Sequence, residues 1–247
     1  MVTPFDLFQN RTGSFRDVSE LSGIKRASFC RGGWGTRFID FDNDGWKDLF
    51  VATRHVMGHV EELIRTVTSA QRLLMLKNEQ GRFVEVSERI GATFRQPWIA
   101  RGAAFGDFDN DGETDILVQV LGGAPLFLEK LIGNQNHWAG LELVGTTSNR
   151  DASGAQVKVV DTGGGEQHFF VSRTSSYLAI IRPASGGQGC AYGQVRSHSG
   201  GFRGSRCEAV GREGCGKRDG ETSRPCRPQC VYSRREVAND GLPAVVR

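Results

Sequence analysis

The chain has 247 residues, of which 38% are hydrophobic, enough to bury the core of one large domain or two small ones. No apolar run approaches the roughly 18 residues that a membrane-spanning helix needs, so no membrane span is expected. The net charge of +3 is uneven, because residues 182–247 carry 12 basic and 6 acidic residues. The N-terminus has neither the basic nor the apolar region of a signal peptide, so none is expected in this chain.

Two sequence motifs occur twice, in the same order and with nearly the same spacing. Residues 8–20 recur as residues 76–88 at an offset of 68, with the same Asn, Gly, Phe, Val, Ser and Glu at matching places. Residues 35–45 recur as residues 102–112 at an offset of 67. A fixed period shared by two motifs indicates an internal repeat of supersecondary structure.

Within each repeat the sequence predicts short strands. Residues 15–19 and 83–87 alternate between apolar and polar side chains, which is typical of half-buried strands. Residues 49–52 and 116–120 are apolar and partly β-branched, which predicts buried strands. In contrast, residues 58–76 carry apolar side chains at helical spacing, so we expect an inserted amphipathic helix of about three turns.

Both copies of the second motif begin the pattern Asp-x-Asp-x-Asp-Gly-x-x-Asp, which ends at Asp48 and Asp115. Ca²⁺ takes roughly six to eight oxygen ligands, and carboxylates at alternate residues converge where a chain curls sharply at glycine. Mg²⁺ is a weaker candidate because it favours octahedral sites that keep several waters. In the first loop the predicted ligands are the side chains of Asp40, Asp42, Asp44 and Asp48 and the carbonyl of Trp46. In the second loop they are the side chains of Asp107, Asp109, Asp111 and Asp115 and the carbonyl of Glu113.

An EF-hand is excluded as the source of this pattern. It needs a bidentate Glu at its twelfth position, where this chain has Val51 and Val118, and its flanks are helical. The alternative to a metal site is a solvated acidic turn. Four carboxylates in one short loop repel each other unless a cation lies among them, so we favour the metal site.

Other motifs that carry chemistry are weak or absent in the sequence. His55 and His59 lack the intervening Glu of a zinc protease motif, and we expect a surface turn there. Cys226 and Cys230 form at most a weak zinc half-site. No phosphate-binding glycine loop, nucleophile elbow or free acid/base pair stands apart from the acidic loops, so we expect a binding protein rather than an enzyme.

The C-terminal part of the chain changes character twice. Residues 137–144 and 156–160 predict strands of a different domain, separated by a polar turn. Residues 180–247 are rich in Arg, Gly and Cys without apolar periodicity, so we expect them to be disordered or to be a frameshifted reading of the normal continuation. The Arg-rich tail lacks interleaved aromatic residues, so no nucleic-acid partner is expected.

These motifs resemble a known family of repeat proteins. Phe105-Gly-Asp107-Phe-Asp109-Asn-Asp111-Gly112, with its copy at residues 38–45, resembles FG-GAP/VCBS-type repeats. The segment from His137-Trp138-Ala-Gly140 to Ser-Gly154-Ala155 resembles the opening of an ASPIC/UnbV domain, as in the family of cartilage acidic protein. The resemblance implies three regions: propeller repeats in residues 1–133, the start of an ASPIC/UnbV domain in residues 134–179, and an unmatched tail in residues 180–247.

The resemblance also implies a fold and a function. The fold is mainly β, with a partial β-propeller whose blades carry Ca²⁺ loops, followed by a truncated β-rich ASPIC/UnbV domain. A closed propeller needs about four blades or more, whereas this chain contains about two repeats. The implied function is an extracellular or periplasmic interaction or adhesion module with structural Ca²⁺ and a protein or glycan ligand. The alternative is a catalytic or non-catalytic part of a secreted polysaccharide-active enzyme.

Overall fold

The computed structural model describes residues 3–130 except 43, 66 and 109–112, and beyond them residues 137–144, 154–160, 166–172, 174–176, 179–180, 190–197, 206–210 and 229–233. The fold of these residues is mainly β. The first eleven strands are β1 (Phe8–Arg11), β2 (Ser14–Asp17), β3 (Gly33–Ile39), β4 (Asp48–Thr53), β5 (Gln71–Arg72), β6 (Leu74–Glu79), β7 (Arg82–Glu85), β8 (Pro97–Trp98), β9 (Ala100–Gly106), β10 (Asp115–Val120) and β11 (Leu126–Leu128).

The remaining strands belong to the C-terminal part of the chain. They are β12 (His137–Val144), β13 (Gln156–Val160), β14 (Glu166–Phe170), β15 (Thr174–Ser176), β16 (Ala179–Ile180), β17 (Cys190–Ser197), β18 (Arg206–Val210) and β19 (Gln229–Ser233). The helices are single turns: α1 (Ile24–Ala27), α2 (Val60–Leu63), α3 (Ser87–Ile90) and α4 (Ala92–Arg95). In the part of the chain that the structure describes, no helix is long and apolar enough to cross a membrane.

The first large sheet has the antiparallel strand order β3-β4-β6-β7. Strand β4 is buried along its whole length. On one of its faces Phe50 and Ala52 join a core shared with the second sheet. On the other face Leu49 and Val51 pack with Ile24. Burial on both faces explains why residues 49–52 are continuously apolar, and it confirms the predicted buried strand.

The second large sheet, with the order β11-β10-β9, repeats the pairing of the first. Leu49 pairs with Leu76 in the first sheet, as Ile116 pairs with Leu128 in the second. The two sheets pack face to face, and the ring of Phe105 lies 5.6 Å from that of Phe50 in an edge-on arrangement. In both sheets, the strand that follows the acidic loop therefore pairs antiparallel with the strand before the loop and with the next strand along its edge.

The offset of 68 residues reproduces a hairpin with its supporting hydrogen bonds. Thr12 and Gly13 have φ of 48° and 95°, and Gln80 and Gly81 have φ of 54° and 98°. Consecutive positive φ values match the two-residue hairpin turns that suit twisted strands. Beyond each hairpin a serine hydroxyl accepts a backbone N–H, Ser19 from Leu7 at 2.7 Å and Ser87 from Met75 at 2.9 Å. The strands therefore end at Asp17 and Glu85, two residues before the predicted ends.

The prediction of a three-turn helix over residues 58–76 is wrong. Helix α2 covers only Val60–Leu63, and the backbone is already extended at Ile64. The side chain of Leu63 is 69% exposed, so the apolar spacing does not create a packed helical face. The end of the same segment, from Leu74 onward, forms β6 beside β4, because strand pairing buries these side chains better than one helical face would.

The structure confirms the predicted strands at residues 137–144 and 156–160 and places three strands in the tail. Strands β17 and β19 pair with the two edges of β12. Strand β18 pairs with β13. These three segments of the tail are therefore strands, and the expectation that residues 180–247 are disordered or frameshifted stays a prediction for the tail as a whole.

The C-terminal part touches the second sheet through β15. The N–H of Ala103 donates to the Ser176 hydroxyl oxygen at 3.0 Å, and that hydroxyl donates to the Ala103 carbonyl at 2.6 Å. The ammonium group of Lys47 also lies 4.8 Å from the centre of the Phe169 ring. The C-terminal strands thus approach both the second sheet and the first acidic loop.

Candidate metal centre

The first acidic loop connects β3 to β4, two strands that lie side by side in the first sheet. Gly45 has φ of +88°, a left-handed conformation that side chains rarely adopt. The carboxylate of Asp40 accepts the N–H groups of Asp44 and Gly45, each at 3.1 Å. Asp44 in turn accepts the N–H of Trp46 at 2.9 Å. The acidic side chains therefore hold the loop in its turn.

Three of the four predicted side-chain ligands of this loop converge. Carboxylate oxygens of Asp40, Asp42 and Asp48 all lie within 4.8 Å of one another. The Oδ1 atom of Asp42 is buried and has no hydrogen-bond partner. Asp44 is not in this group. Trp46 has a side chain that is 46% exposed.

Asp48 is the most deeply buried of the three converging carboxylates. Its Oδ2 accepts the N–H of Phe41 at 2.9 Å, and its Oδ1 accepts the N–H of Asn78 at 2.8 Å. Burial is the main cause that raises the pKa of Asp48 to about 7; these hydrogen bonds oppose the rise, and the charges of Asp42 and Asp40 contribute to it. A cation at this point would favour the ionised carboxylate and remove that conflict.

The ammonium group of Lys77 partly balances the loop's negative charge. It forms an ion pair with Asp42 and lies 3.3 Å from Asp44 Oδ2. Its hydrogen bond to Asp42 is the main cause that raises the pKa of Lys77. Sequence reasoning missed this residue, although its position beside Asn78, at the end of the repeated strand, offered a signal.

The second acidic loop connects β9 to β10 and, like the first, is followed by a buried aspartate at the start of the next strand. Asp115 is buried, its Oδ2 accepts the N–H of Phe108 at 3.1 Å, and its Oδ1 accepts the N–H of Lys130 at 3.0 Å. Asp107 lies at the start of the loop. The predicted ligands Asp109 and Asp111 lie outside the described residues, so convergence is described for the first loop alone.

Glu113 has a role that the sequence did not indicate. We expected its carbonyl to serve as a ligand, whereas its side chain is buried and forms an ion pair with the ammonium group of Lys130. The same ammonium donates to the carbonyl of Asp40 at 3.3 Å. Lys130 therefore connects the second acidic loop to the first.

The first loop fits a hard divalent cation. Its donors are all oxygen atoms, which Ca²⁺ and Mg²⁺ prefer over nitrogen or sulfur. The buried Oδ1 of Asp42 supplies an acceptor with no other partner. Asp40, Asp42 and Asp48 would hold the ion, with carbonyl or water oxygens completing its shell.

Among the described residues, His55 and His59 are not gathered with other possible metal ligands. His55 is buried rather than on a surface turn, and its Nδ1 accepts the N–H of Met57 at 3.1 Å. His59 is exposed, with its Nδ1 3.6 Å from Glu62. Cys226 and the side chain of Cys230 lie outside the described residues.

The chain matches no protein-family model and no curated protein. The fold and the site therefore define the class by themselves. It is a mainly β chain with two acidic segments of the same sequence pattern, and the first of them gathers three carboxylates that could hold a metal ion.

Proposed function

We propose that the chain is a Ca²⁺-binding repeat protein in which a structural calcium ion is held by Asp40, Asp42 and Asp48. The observation that carries this proposal is the convergence of the three carboxylates within 4.8 Å. Like charges at this separation disfavour the folded state unless a cation lies among them. Metal binding to such a loop is coupled to folding, because the ligands converge only in the folded chain.

The second loop supports a second site of the same kind. Asp115 has the same burial and the same two kinds of backbone donor as Asp48. In this proposal Asp107, Asp109, Asp111 and Asp115 supply the carboxylates of the second ion. Lys130 then ties the two loops together, so that ordering one loop helps to order the other.

We propose further that the two large sheets are adjacent blades of a partial β-propeller. They share strand pairing and pack face to face, as neighbouring propeller blades do. The function that suits such blades is an extracellular or periplasmic interaction or adhesion module, with a protein or glycan as ligand. Calcium acts as a structural element of the module.

Isothermal titration calorimetry of the chain with Ca²⁺ tests the metal proposal. We expect saturable binding that Asp42→Asn weakens, because the substitution removes a charge from the converged group. Asp6→Asn is the matched control, since Asp6 is exposed and lies outside both loops. Equal binding by the two variants would show that the first loop is not the site.

A further inference from the structure

A second cluster of like charge lies between the two large sheets, away from the acidic loops. Trp34 is in β3, Arg101 is in β9, and Arg54 follows the end of β4. The guanidinium carbon of Arg101 lies 4.8 Å from the centre of the Trp34 ring, and that of Arg54 lies 5.5 Å from it. Two cations therefore share one indole ring, which attracts them through its negative face.

The deeper of the two arginines lacks an acceptor for one of its donors. Arg54 is 4% exposed; its Nε donates to the carbonyl of His55 at 2.9 Å and its Nη2 to that of Val56 at 3.2 Å. Its Nη1 is buried and has no hydrogen-bond partner. The Nε of Arg101 is also buried and unpartnered. Two donors of neighbouring guanidinium groups are thus without acceptors.

The charges in this cluster are not balanced within the described part of the chain. No described Asp or Glu forms an ion pair with Arg54 or Arg101. Burial lowers the pKa of Arg54, and the charge of Arg101 lowers it further. Arginine nevertheless stays protonated in proteins, so two positive charges persist beside the same Trp34 ring. A buried charge such as that of Arg54 requires a counter-charge.

We infer that an oxyanion, carried by a carboxylate, phosphate or sulfate group, binds between the two sheets at the Nη1 atom of Arg54 and the Nε atom of Arg101, beside Trp34. Guanidinium groups are the preferred partners of such groups, because their planar donors match two oxygen atoms. Trp34 and Arg101 are only half-buried, whereas Arg54 is buried, so the cluster is open to solvent at Trp34 and Arg101. This site needs no metal and is separate from the proposed calcium function.

A third arginine, Arg37, also has a buried donor but no neighbouring cation. Arg37 Nη1 is also buried without a partner, and the Arg37 guanidinium lies 5.7 Å from the Phe105 ring. Burial alone lowers its pKa, with no neighbouring cation contributing. The pair of Arg54 and Arg101 is therefore the better centre for an anion.

The test is thermal unfolding of the full chain in the presence of a chelator, so that calcium plays no part. Inorganic phosphate, sulfate and acetate are titrated separately at constant ionic strength. We expect a saturable rise of the midpoint with at least one of them. A rise with acetate alone assigns a carboxylate, and a rise with phosphate or sulfate alone assigns a tetrahedral anion. No saturable rise with any of the three overturns the proposal.

Variants separate an anion site from a general salt effect. Arg101→Gln removes one donor and one charge, so its midpoint should lose the saturable rise. Without added anion its midpoint should equal or exceed that of the unaltered chain, because the repulsion of Arg54 is relieved. Arg82→Gln, an exposed arginine, should keep the full rise. The proposal is overturned if the midpoint of Arg101→Gln rises with added anion as that of the unaltered chain does. It is also overturned if the midpoint of Arg101→Gln lies below that of the unaltered chain by the same amount with and without anion.

Discussion

Asp48 and Asp115, 67 residues apart, hold the same position in two sheets and accept the same kinds of backbone hydrogen bond with both carboxylate oxygens. One oxygen of each takes the N–H of the phenylalanine seven residues earlier, Phe41 or Phe108. The other oxygen accepts an N–H from the neighbouring strand: Asn78, within β6, donates to Asp48, and Lys130, just after β11, donates to Asp115. Each buried aspartate therefore fixes the acidic loop to its sheet.

Replacing Asp48 with alanine should destabilise the chain. The buried N–H groups of Phe41 and Asn78 would lose their acceptor, and each buried donor left unpaired costs on the order of 1–3 kcal/mol. Relief of the repulsion from Asp40 and Asp42 offsets part of this cost, so we expect a net loss of about 2 kcal/mol. Urea unfolding measures the loss, with Asp6→Ala as the control. If Asp48→Ala unfolds at the same urea concentration as the control, the anchoring role is wrong.

The buried strands and the turn of the first acidic loop could be predicted from the sequence because each depends on local patterns. Alternation, apolar runs and the spacing of Asp and Gly are properties of short segments. The helix over residues 58–76 was wrong, because pairing of β6 with β4 decided the conformation of Leu74 to Leu76. Lys77 and Lys130 were missed because Asp42, the partner of Lys77, lies 35 residues away in the chain and Asp40, a partner of Lys130, lies 90 residues away. The Arg54 and Arg101 cluster likewise exists only once the two sheets pack together.

Replacing Lys77 with methionine should raise the affinity for Ca²⁺. The ammonium group of Lys77 pairs with Oδ2 of Asp42 and with Asp44, so its positive charge repels a cation held at the neighbouring Oδ1 of Asp42. We expect Kd for Ca²⁺ to fall severalfold in calorimetry, and metal-free Lys77→Met to be less stable because the carboxylates lose their counter-charge. Lys25→Met is the control, since Lys25 forms its ion pair with Glu20, which is not part of either acidic loop. A weaker Ca²⁺ affinity in Lys77→Met would mean that the lysine supports the site instead of repelling the cation.

The stability of the metal-free chain should fall as the pH rises from about 4 to 7 through the titration of Asp48. Burial raises the pKa of Asp48 to about 7 in the folded chain, whereas the unfolded value is near the usual 3.8. The folded state therefore binds the proton more tightly, and this contribution to stability is complete below the unfolded pKa and lost as the pH rises through the folded pKa. Unfolding midpoints measured across this range with a chelator, for the chain and for Asp48→Asn, isolate the contribution. A slope that is identical in the two proteins would contradict it.

Calcium should reverse that pH dependence at the same residue. The ion requires Asp48 to be ionised, so protons and Ca²⁺ compete and Kd should rise as the pH falls below about 7. Calorimetry at several pH values measures this, and proton release in buffers of different ionisation enthalpy gives an independent readout. Binding that is insensitive to pH between 5 and 8, roughly the range around that pKa, would exclude Asp48 as a ligand.

Gly35→Ala should separate the two sheets. A Cβ at this position would lie 2.6 Å from the carbonyl oxygen of Arg101 and 2.7 Å from the nitrogen of Ala103, both backbone atoms that cannot turn aside. We expect a loss of about 1–3 kcal/mol in the free energy of unfolding, measured with urea. Gly58→Ala is the matched control, because no atom lies within 4 Å of the position that its new methyl group would take and its φ is not left-handed. Equal stability of the two variants would show that β3 and β9 do not pack as closely as described.

The most direct test of the account is the midpoint of thermal unfolding with Ca²⁺ and with a chelator. If Asp40, Asp42 and Asp48 hold a structural calcium ion, millimolar Ca²⁺ should raise the midpoint, with a gain of about 2.7 kcal/mol when its concentration is 100 times Kd. Asp42→Asn should lose part of that rise while Asp6→Asn keeps it. An unchanged midpoint of the unaltered chain at millimolar Ca²⁺ would contradict the account.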